Sequence, residues 1–257
     1  MENNVDILGL GIGAYTMTSL LDRFEALIAE PGCATAYALN AHSMNLSYKY
    51  PQFYRALCGA NTLYVDGASL LLAARLFGKE LPEKLTTTDV WPPACELAVR
   101  KGYSFFLLGG EPGLAERARA KAIAEYPGLK IVGTHYGYFK GRDKEVIELI
   151  NKKKPDILWV GMGEPLQAIW AESNKRRLDA SLVVTCGGMF KIVAGELRRL
   201  PGKWRRRGFE WVYRMLQEPG TVSRYLPGLP IFGSRILAQR LRIPLARPAK
   251  GLSVPGF

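Results

Sequence analysis

Asp66 stands at the end of a short apolar run, and a glycine follows it. The apolar run before that one ends at Asn40, two residues ahead of His42, so Asn40 and Asp66 each close a predicted strand. A carboxylate at the end of a strand can act as a general base on a hydroxyl group within hydrogen-bonding distance. An aspartate before a glycine is also a common turn residue. The pattern therefore leaves two interpretations of Asp66 open, a general base and a turn.

Glycine-rich turns between strands and helices form a second candidate site. Glycine lets backbone N–H groups approach a phosphate closely, and the N-terminus of the following helix favours negative charge. A single glycine after a strand is often only a tight turn. Three in the same strand-to-helix context favour a nucleotide or phosphate site. The glycines are Gly109, Gly110, Gly161, Gly163, Gly187 and Gly188.

A polar cluster precedes a predicted helix that begins near residue 89. It consists of Lys84, Thr86, Thr87, Thr88 and Asp89. The side-chain oxygen of Thr88 or Asp89 could cap that helix, and the spacing alone favours capping for both residues.

Other chemistry-bearing patterns are weak or missing. Residues 9–14 fit the G-x-G-x-x-A dinucleotide pattern, but the second strand ends without an acidic residue to hold a ribose. An NAD-dependent oxidoreductase is therefore a minor alternative. The sequence has no P-loop, no nucleophile elbow and no Asp-x-Asp pair, and its two histidines are far apart. It predicts neither a cofactor nor a dedicated metal site.

These residues need a scaffold that brings strand ends together. Up to about residue 190, short apolar runs alternate with helical periodicity, which is typical of a Rossmann-like α/β fold with a mostly parallel sheet covered by helices. Ligands of such sheets bind at the carboxyl ends of the strands, so the candidate residues are expected on one rim. The predicted strands span 5–9, 34–39, 62–65, 103–108, 129–133, 157–161 and 182–186. The predicted helices span 16–29, 68–77, 89–101, 112–125, 143–151, 166–175 and 189–195.

The positive charge is concentrated at the C-terminal end. Residues 191–257 carry 14 Lys and Arg against three acidic residues, so +11 of the formal net charge of +12 lies there. Tryptophan and tyrosine residues are interleaved with these charges. The sequence predicts a catalytic domain at 1–195 and a basic, helical, membrane-associating appendage at 196–257. The appendage would contain an amphipathic helix at 203–217 and a basic segment at 223–242 that is broken by Pro227 and Pro230.

Such a tail suits an anionic surface, either phospholipid headgroups or nucleic acid. A solvated charged face is the third interpretation. No run approaches the ~20 apolar residues that span a bilayer, and the N-terminus does not resemble a signal peptide. The four scattered cysteines suit a reducing cytosol, as small buried residues. We therefore expect a cytoplasmic protein that lies on a membrane if it meets one. The apolar side of the tail also allows self-association into a homo-oligomer.

Eight stretches taken together resemble the WecG/TagA/CpsF family of glycosyltransferases. They run in the family's order over roughly residues 5–225, and the set is far more specific than any one member. The stretches are LNAH (39–42), YVDG (64–67), PEKLTTTD (82–89), FLLGGEPG (106–113), GYF (137–139), GMGEPLQ (161–167), CGGMF (186–190) and GFEWVYR (208–214).

The resemblance implies an inverting, metal-independent hexosyltransferase. Its members move a sugar from a UDP-sugar to a polyprenyl-diphosphate-linked sugar, in the synthesis of cell-wall polymers and exopolysaccharides. On this resemblance Asp66 matches the catalytic carboxylate, and the appendage completes the active site on the inner face of the cell membrane. Nucleic acid is not an expected partner. The residues expected to bind substrate are Asn40, Lys84, Thr86, Asp89, Gly109, Gly110, Gly161, Gly163, Gln167, Gly187, Gly188, Arg207, Arg214 and Arg224.

The sequence departs from the family pattern at several positions. Lys84 stands where relatives usually have arginine, and Ala38 stands where they commonly have threonine. The Ala38 change removes a hydroxyl group near the expected substrate. The donor sugar therefore does not follow from the resemblance; N-acetylmannosamine, glucose and other hexoses are alternatives.

Overall fold

The computed structural model describes residues 4–200, 210–217 and 222–247. The strands are β1 (Asn4–Ile7), β2 (Leu10–Gly13), β3 (Ala34–Leu39), β4 (Thr62–Val65), β5 (Ser104–Gly109), β6 (Lys130–His135), β7 (Ile157–Gly161) and β8 (Leu182–Thr185). The helices are α1 (Met17–Ala29), α2 (Ala41–Lys49), α3 (Pro51–Cys58), α4 (Ala68–Leu76), α5 (Thr87–Lys101), α6 (Leu114–Glu125), α7 (Asp143–Lys153), α8 (Leu166–Asn174), α9 (Met189–Val193), α10 (Glu210–Gln217) and α11 (Val222–Arg240). One turn of 3-10 helix follows α8 at Lys175–Arg177.

Six strands form one parallel sheet in the order β4-β3-β8-β7-β5-β6. Every residue of β3, β4, β7 and β8 is buried, as expected for a parallel sheet with helices on both faces. The two faces carry separate apolar clusters, one containing Leu158 and the other Trp159. Trp159 packs edge-on against Trp91 of α5, with 5.2 Å between the ring centroids. The predicted α/β class with a parallel sheet is confirmed.

The first predicted strand does not join this sheet. β1 and β2 pair as an antiparallel hairpin, and the turn residues Leu8 and Gly9 have φ angles of 53° and 75°. Leu10 and Ile12 of β2 are buried, so their side chains anchor the second strand of the hairpin. Residues 9–14 therefore form a hairpin turn and a strand. They do not form the strand-to-helix loop that a dinucleotide fingerprint requires.

Two helices between β3 and β4, α2 and α3, are absent from the sequence-based prediction. The buried residues of α2 include Ser43 and Ser47, so its inner face does not appear as an apolar stripe. The two helices did leave end signals in the sequence. Asn40 caps α2, and Pro51 occupies the first turn of α3, a position that proline favours.

The expectation that Pro227 and Pro230 break the basic segment is wrong, because both lie inside the single helix α11. Packing against α2 holds the helix direction through the prolines. Asn45 of α2 donates a hydrogen bond from Nδ2 to the carbonyl oxygen of Gly228 at 2.7 Å. One turn further on, Phe232 is buried in the apolar cluster that α2 also lines.

Arginines hold the end of the described chain against α2, α3 and the turn between β1 and β2. The Arg235 guanidinium lies 4.3 Å from the ring centroid of Tyr48, and that of Arg247 lies 3.7 Å from the centroid of Tyr54, both in cation–π geometry. Arg247 also donates to the carbonyl oxygen of Leu8 in the hairpin turn. The division of the chain at 195/196 stays a prediction. Residues 210–217 of the predicted helix 203–217 form α10, and 203–209 lie outside the described residues.

Candidate active site

A cavity with a volume of about 530 Å³ opens at the carboxyl ends of β3, β4 and β8. This is the rim at which parallel α/β sheets bind ligands, and the size is ordinary for a small-molecule site. Eight residues expected at the site line it: Asn40, Asp66, Lys84, Thr86, Gly163, Gln167, Gly187 and Gly188. Their assignment as catalytic or substrate-binding residues stays a prediction.

Asn40 and Asp66 form a hydrogen-bonded pair at the cavity wall. The Asn40 side chain is the N-cap of α2, and its Oδ1 accepts from the backbone N–H groups of His42 at 2.9 Å and Ser43 at 3.2 Å. This cap turns the amide so that Nδ2 donates to Asp66 Oδ2 at 3.0 Å. The cap of one helix therefore fixes the position of a carboxylate on the neighbouring strand end.

Gly67 permits this close approach. A Cβ atom at Gly67 would lie 2.9 Å from the Cβ of Asn40, a distance that real side chains do not reach. Any other residue would push the end of β4 away from Asn40. Gly67 thus allows Asn40 and Asp66 to lie close together, in addition to ending the strand.

The polar cluster before α5 is organised by Thr86, so the prediction that Thr88 or Asp89 caps the helix is wrong. Thr86 Oγ1 accepts from the backbone N–H of Asp89 at 3.2 Å and donates to Asp89 Oδ2 at 2.6 Å. The other carboxylate oxygen of Asp89 pairs with Arg199 at 2.7 Å. Asp89 therefore supports the cavity wall from behind and does not line the cavity. Lys84 lines it directly.

Gln167 connects two of the predicted glycine turns. Its side chain is buried, with 4% of the residue exposed, and its Oε1 accepts from the backbone N–H of Gly187 at 3.0 Å. The bond ties the first turn of α8 to the loop between β8 and α9. Gly163, Gly187 and Gly188 all line the cavity.

Gly109, Gly110 and Gly161 do not line the cavity. Their backbones pack against each other where β5 and β7 end, and Gly110 donates to the carbonyl oxygen of Gly161 at 3.1 Å. A Cβ atom on Gly109 would lie 2.4 Å from that same oxygen. These glycines permit close backbone packing, and their assignment as substrate-binding residues stays a prediction.

The chain after residue 196 contributes cavity residues that were not predicted from the sequence. Residues 197–200, Tyr213 and Gln217 line the cavity, together with Gly228 and Leu229 of α11. Gln217 ties α10 to the preceding segment, because its side-chain amide both accepts from the backbone N–H of Arg198 at 3.0 Å and donates to its carbonyl at 2.9 Å. The sequence signal for this segment was its charge, which does not show which residues face a cavity.

The side chains of the three arginines expected to bind substrate from the appendage are not among the described parts of the structure. Arg207 lies outside the described residues. Arg214 belongs to α10 and Arg224 to α11, and their side chains also lie outside what is described. α10 does reach the cavity through Tyr213 and Gln217.

Thiol chemistry has little support at this site. Cys186 lines the cavity, but burial raises its pKa well above the ordinary value, so the thiol stays protonated and is a weak nucleophile. Cys95 is buried as expected, whereas Cys33 is half-buried and Cys58 is exposed. Within the described ranges, no group of three or more His, Cys, Asp or Glu side chains could hold a metal ion.

Membrane insertion depends on the length and apolar content of the helices. In the part of the chain that is described, none of them combines the length and apolar content that crossing a bilayer requires.

The cavity thus combines a positioned carboxylate, a lysine and several backbone and side-chain hydrogen-bonding groups at the rim of a Rossmann-like sheet. Such a combination is typical of a site that binds a polar small molecule. The chain belongs to the WecG/TagA/CpsF family of glycosyl transferases, whose sequence profile matches residues 5–245.

Curated relatives cover nearly the same length. Proteins of Staphylococcus aureus strains MW2 and NCTC 8325 / PS 47 are each 24% identical over 245 residues, which is 95% of this chain and 96% of the relative. Both carry the name N-acetylglucosaminyldiphosphoundecaprenol N-acetyl-beta-D-mannosaminyltransferase. The chain is similar to these enzymes over nearly their whole length, and it is a glycosyltransferase.

Proposed function

We propose that this glycosyltransferase moves a hexose or N-acetylhexosamine from a UDP-sugar to a polyprenyl-diphosphate-linked sugar, in cell-wall polymer or exopolysaccharide synthesis. The observation that carries the proposal is the Asn40–Asp66 pair in the wall of the cavity, because transfer to a sugar hydroxyl needs a positioned base. The names of the S. aureus relatives, which contain a diphosphoundecaprenol-linked sugar, support the acceptor class.

In the proposed reaction, Asp66 takes the proton of the acceptor hydroxyl as its oxygen attacks the anomeric carbon. The bond from that carbon to the UDP oxygen breaks at the same time, so the configuration at the anomeric carbon inverts. The proton remains on Asp66 until the product leaves, and UDP departs with the electron pair. Asn40 holds the carboxylate in line by its hydrogen bond to Oδ2.

The departing UDP carries developing negative charge that the protein must stabilise. Lys84 supplies a positive charge at the cavity, and the backbone at Gly187 and Gly188 is available at its rim. We assign the same role to Arg207, Arg214 and Arg224 of the appendage. With these groups the reaction proceeds without a metal ion.

Thermal shift separates the proposed function from the two alternatives. We expect UDP to raise Tm by a few degrees, since a ligand at 100 times its Kd stabilises the folded state by about 2.7 kcal/mol. EDTA should leave that shift unchanged. A shift with NAD or with a short oligonucleotide, and none with UDP, would favour the oxidoreductase or the nucleic-acid-binding protein instead.

We also propose that the enzyme works on the cytoplasmic face of the membrane through the appendage. The end of α11 and the residues after it expose Leu237, Leu241 and Ile243 at 59%, 60% and 53%, beside Arg240 and Arg242. Apolar side chains next to cations suit the headgroup layer, where each basic residue contributes about 1 kcal/mol.

Vesicle sedimentation measures this association. The protein should sediment with vesicles that contain anionic lipid and remain in solution with purely zwitterionic ones, and the bound fraction should fall as salt rises. Arg240→Gln with Arg242→Gln removes two basic residues, or about 2 kcal/mol, and should weaken binding by about thirtyfold. Lys144→Gln with Lys152→Gln on the exposed surface of α7 is the charge-matched control. Equal binding by both double variants would remove α11 from the membrane contact.

A further inference from the structure

Tyr64 lies two residues before the proposed base in the sequence. It belongs to β4 and pairs in register with Ala38 of β3. Side chains two residues apart on a strand point to the same face, so Tyr64 and Asp66 share one face of the sheet. The backbone N–H of Asp66 donates to Leu39 O at 2.8 Å, which continues the strand pairing up to the carboxylate. Asp66 thus ends the row of side chains to which Tyr64 belongs.

The Tyr64 hydroxyl is buried and has no hydrogen-bond partner among the described residues. Tyr64 is 0% exposed. Native proteins rarely leave a buried hydroxyl group without a partner, since the lost hydration is not replaced. Tyr37, a buried tyrosine on β3, differs in this respect, because its hydroxyl reaches the carbonyl oxygen of Ala168 at 3.5 Å.

Tyr64 belongs to the same part of the core as two residues that line the cavity. Tyr64 shares its apolar cluster with Ala38 and Cys186, and both of these residues line the cavity. Ala38 contributes only a methyl group beside Tyr64. Burial raises the pKa of Tyr64 well above its ordinary value, and the charge of Asp66 raises it further, followed by Cys186. The phenol therefore keeps its proton and is available as a donor next to a carboxylate.

We propose that Tyr64 is a positioning residue whose hydroxyl donates a hydrogen bond to the Asp66 carboxylate from the core side of the sheet. Asn40 already holds Oδ2 from the α2 side, so the two donors fix the carboxylate from two directions. One bridging water, or a small rotation of the carboxylate, completes the contact. The role in catalysis rests on the proposed function, in which Asp66 is the base.

Tyr64→Phe removes the hydroxyl and keeps the ring, so the fold is preserved. Loss of a donor to the ionised carboxylate raises the pKa of Asp66, because the charged form loses stabilisation. We expect the acid limb of the kcat–pH profile to move to higher pH by about half a unit to one unit, with KM unchanged. Tyr37→Phe, the matched loss of a buried hydroxyl on the opposite face of the sheet, should leave the acid limb in place.

A second measurement does not depend on transfer activity. Urea midpoints of wild type, Tyr64→Phe, Asp66→Ala and the double variant form a cycle that measures coupling between the two side chains. We expect Tyr64→Phe to lower the midpoint when Asp66 is present and to leave it unchanged or raised in the Asp66→Ala background.

The outcomes separate the two proposals. A raised midpoint for Tyr64→Phe in both backgrounds would show an unpartnered hydroxyl and overturn the assignment, as would an unmoved acid limb. A change in KM alone would place the hydroxyl on substrate and overturn it too. If wild type transfers no sugar from any UDP donor, the proposed function fails, and the urea cycle still decides whether Tyr64 holds Asp66.

Discussion

Asp66→Asn lowers kcat by about 10²–10⁴-fold, the usual effect of removing a general base, while UDP binding is retained. The amide keeps the size of the carboxylate and can still accept the hydrogen bond from Asn40, so the geometry of the cavity is preserved. What is lost is the group that receives the acceptor proton. Steady-state kinetics measure the loss, and calorimetric titration with UDP measures binding.

Two further variants test whether the loss of turnover is specific to the Asp66 carboxylate. Asp22→Asn, on the exposed surface of α1, applies the same chemical change and should leave kcat unchanged. Asn40→Ser keeps an N-cap side chain but removes the amide donor to Asp66, so an intermediate loss of about tenfold is expected. Unchanged turnover in Asp66→Asn would remove this carboxylate from the mechanism.

Phe232→Ala destabilises the protein by about 3–5 kcal/mol. Phe232 is 5% exposed and lies in the apolar cluster shared by α2 and α11. Its truncation therefore leaves a cavity between these two helices. Urea unfolding at constant pH measures the change. Because Asn40 caps α2, a loosened α11 should also reduce turnover at temperatures where the variant is still folded.

Leu237→Ala is the matched control on the same helix. Leu237 is exposed, so its truncation should change stability by no more than about 0.5 kcal/mol. Similar losses of unfolding free energy in Phe232→Ala and Leu237→Ala would contradict the packing of α11 on α2. A large loss of stability in Phe232→Ala alone would show that α11 and α2 share one core.

The central strands could be predicted because burial on both faces gives continuous apolar runs with few alternatives. The prediction of β3, β4 and β7 agrees with the structure to the residue. The sheet to which the first predicted strand, 5–9, belongs could not be predicted, because a strand in a hairpin and a strand in a parallel sheet have similar composition. Only the long-range packing of Leu10 and Ile12 distinguishes them. The helix α2 was not predicted for the same reason. Its inner face carries serines, and their burial depends on neighbours distant in sequence.

The site was predictable where function requires a residue at a strand end, and less so where the tertiary structure chooses the contacts. Asn40 and Asp66 follow strands, so their meeting follows from the parallel order of β3 and β4. The partnership of Asp89 with Arg199 spans 110 residues and has no local signal. Gly109 and Gly161 match the same glycine pattern as Gly187, but in the structure they pack against each other and do not line the cavity.

One reaction mixture tests the central claim most directly: radiolabelled UDP-sugar, a synthetic polyprenyl-diphosphate-linked sugar and the purified enzyme, with UDP and the lengthened lipid-linked glycan both quantified over time. We expect the two products to form in a one-to-one ratio with at least one donor, and neither to form when the acceptor is omitted. UDP released at the same rate without the lipid acceptor, or no release from any donor in a broad panel, would contradict transfer at this cavity.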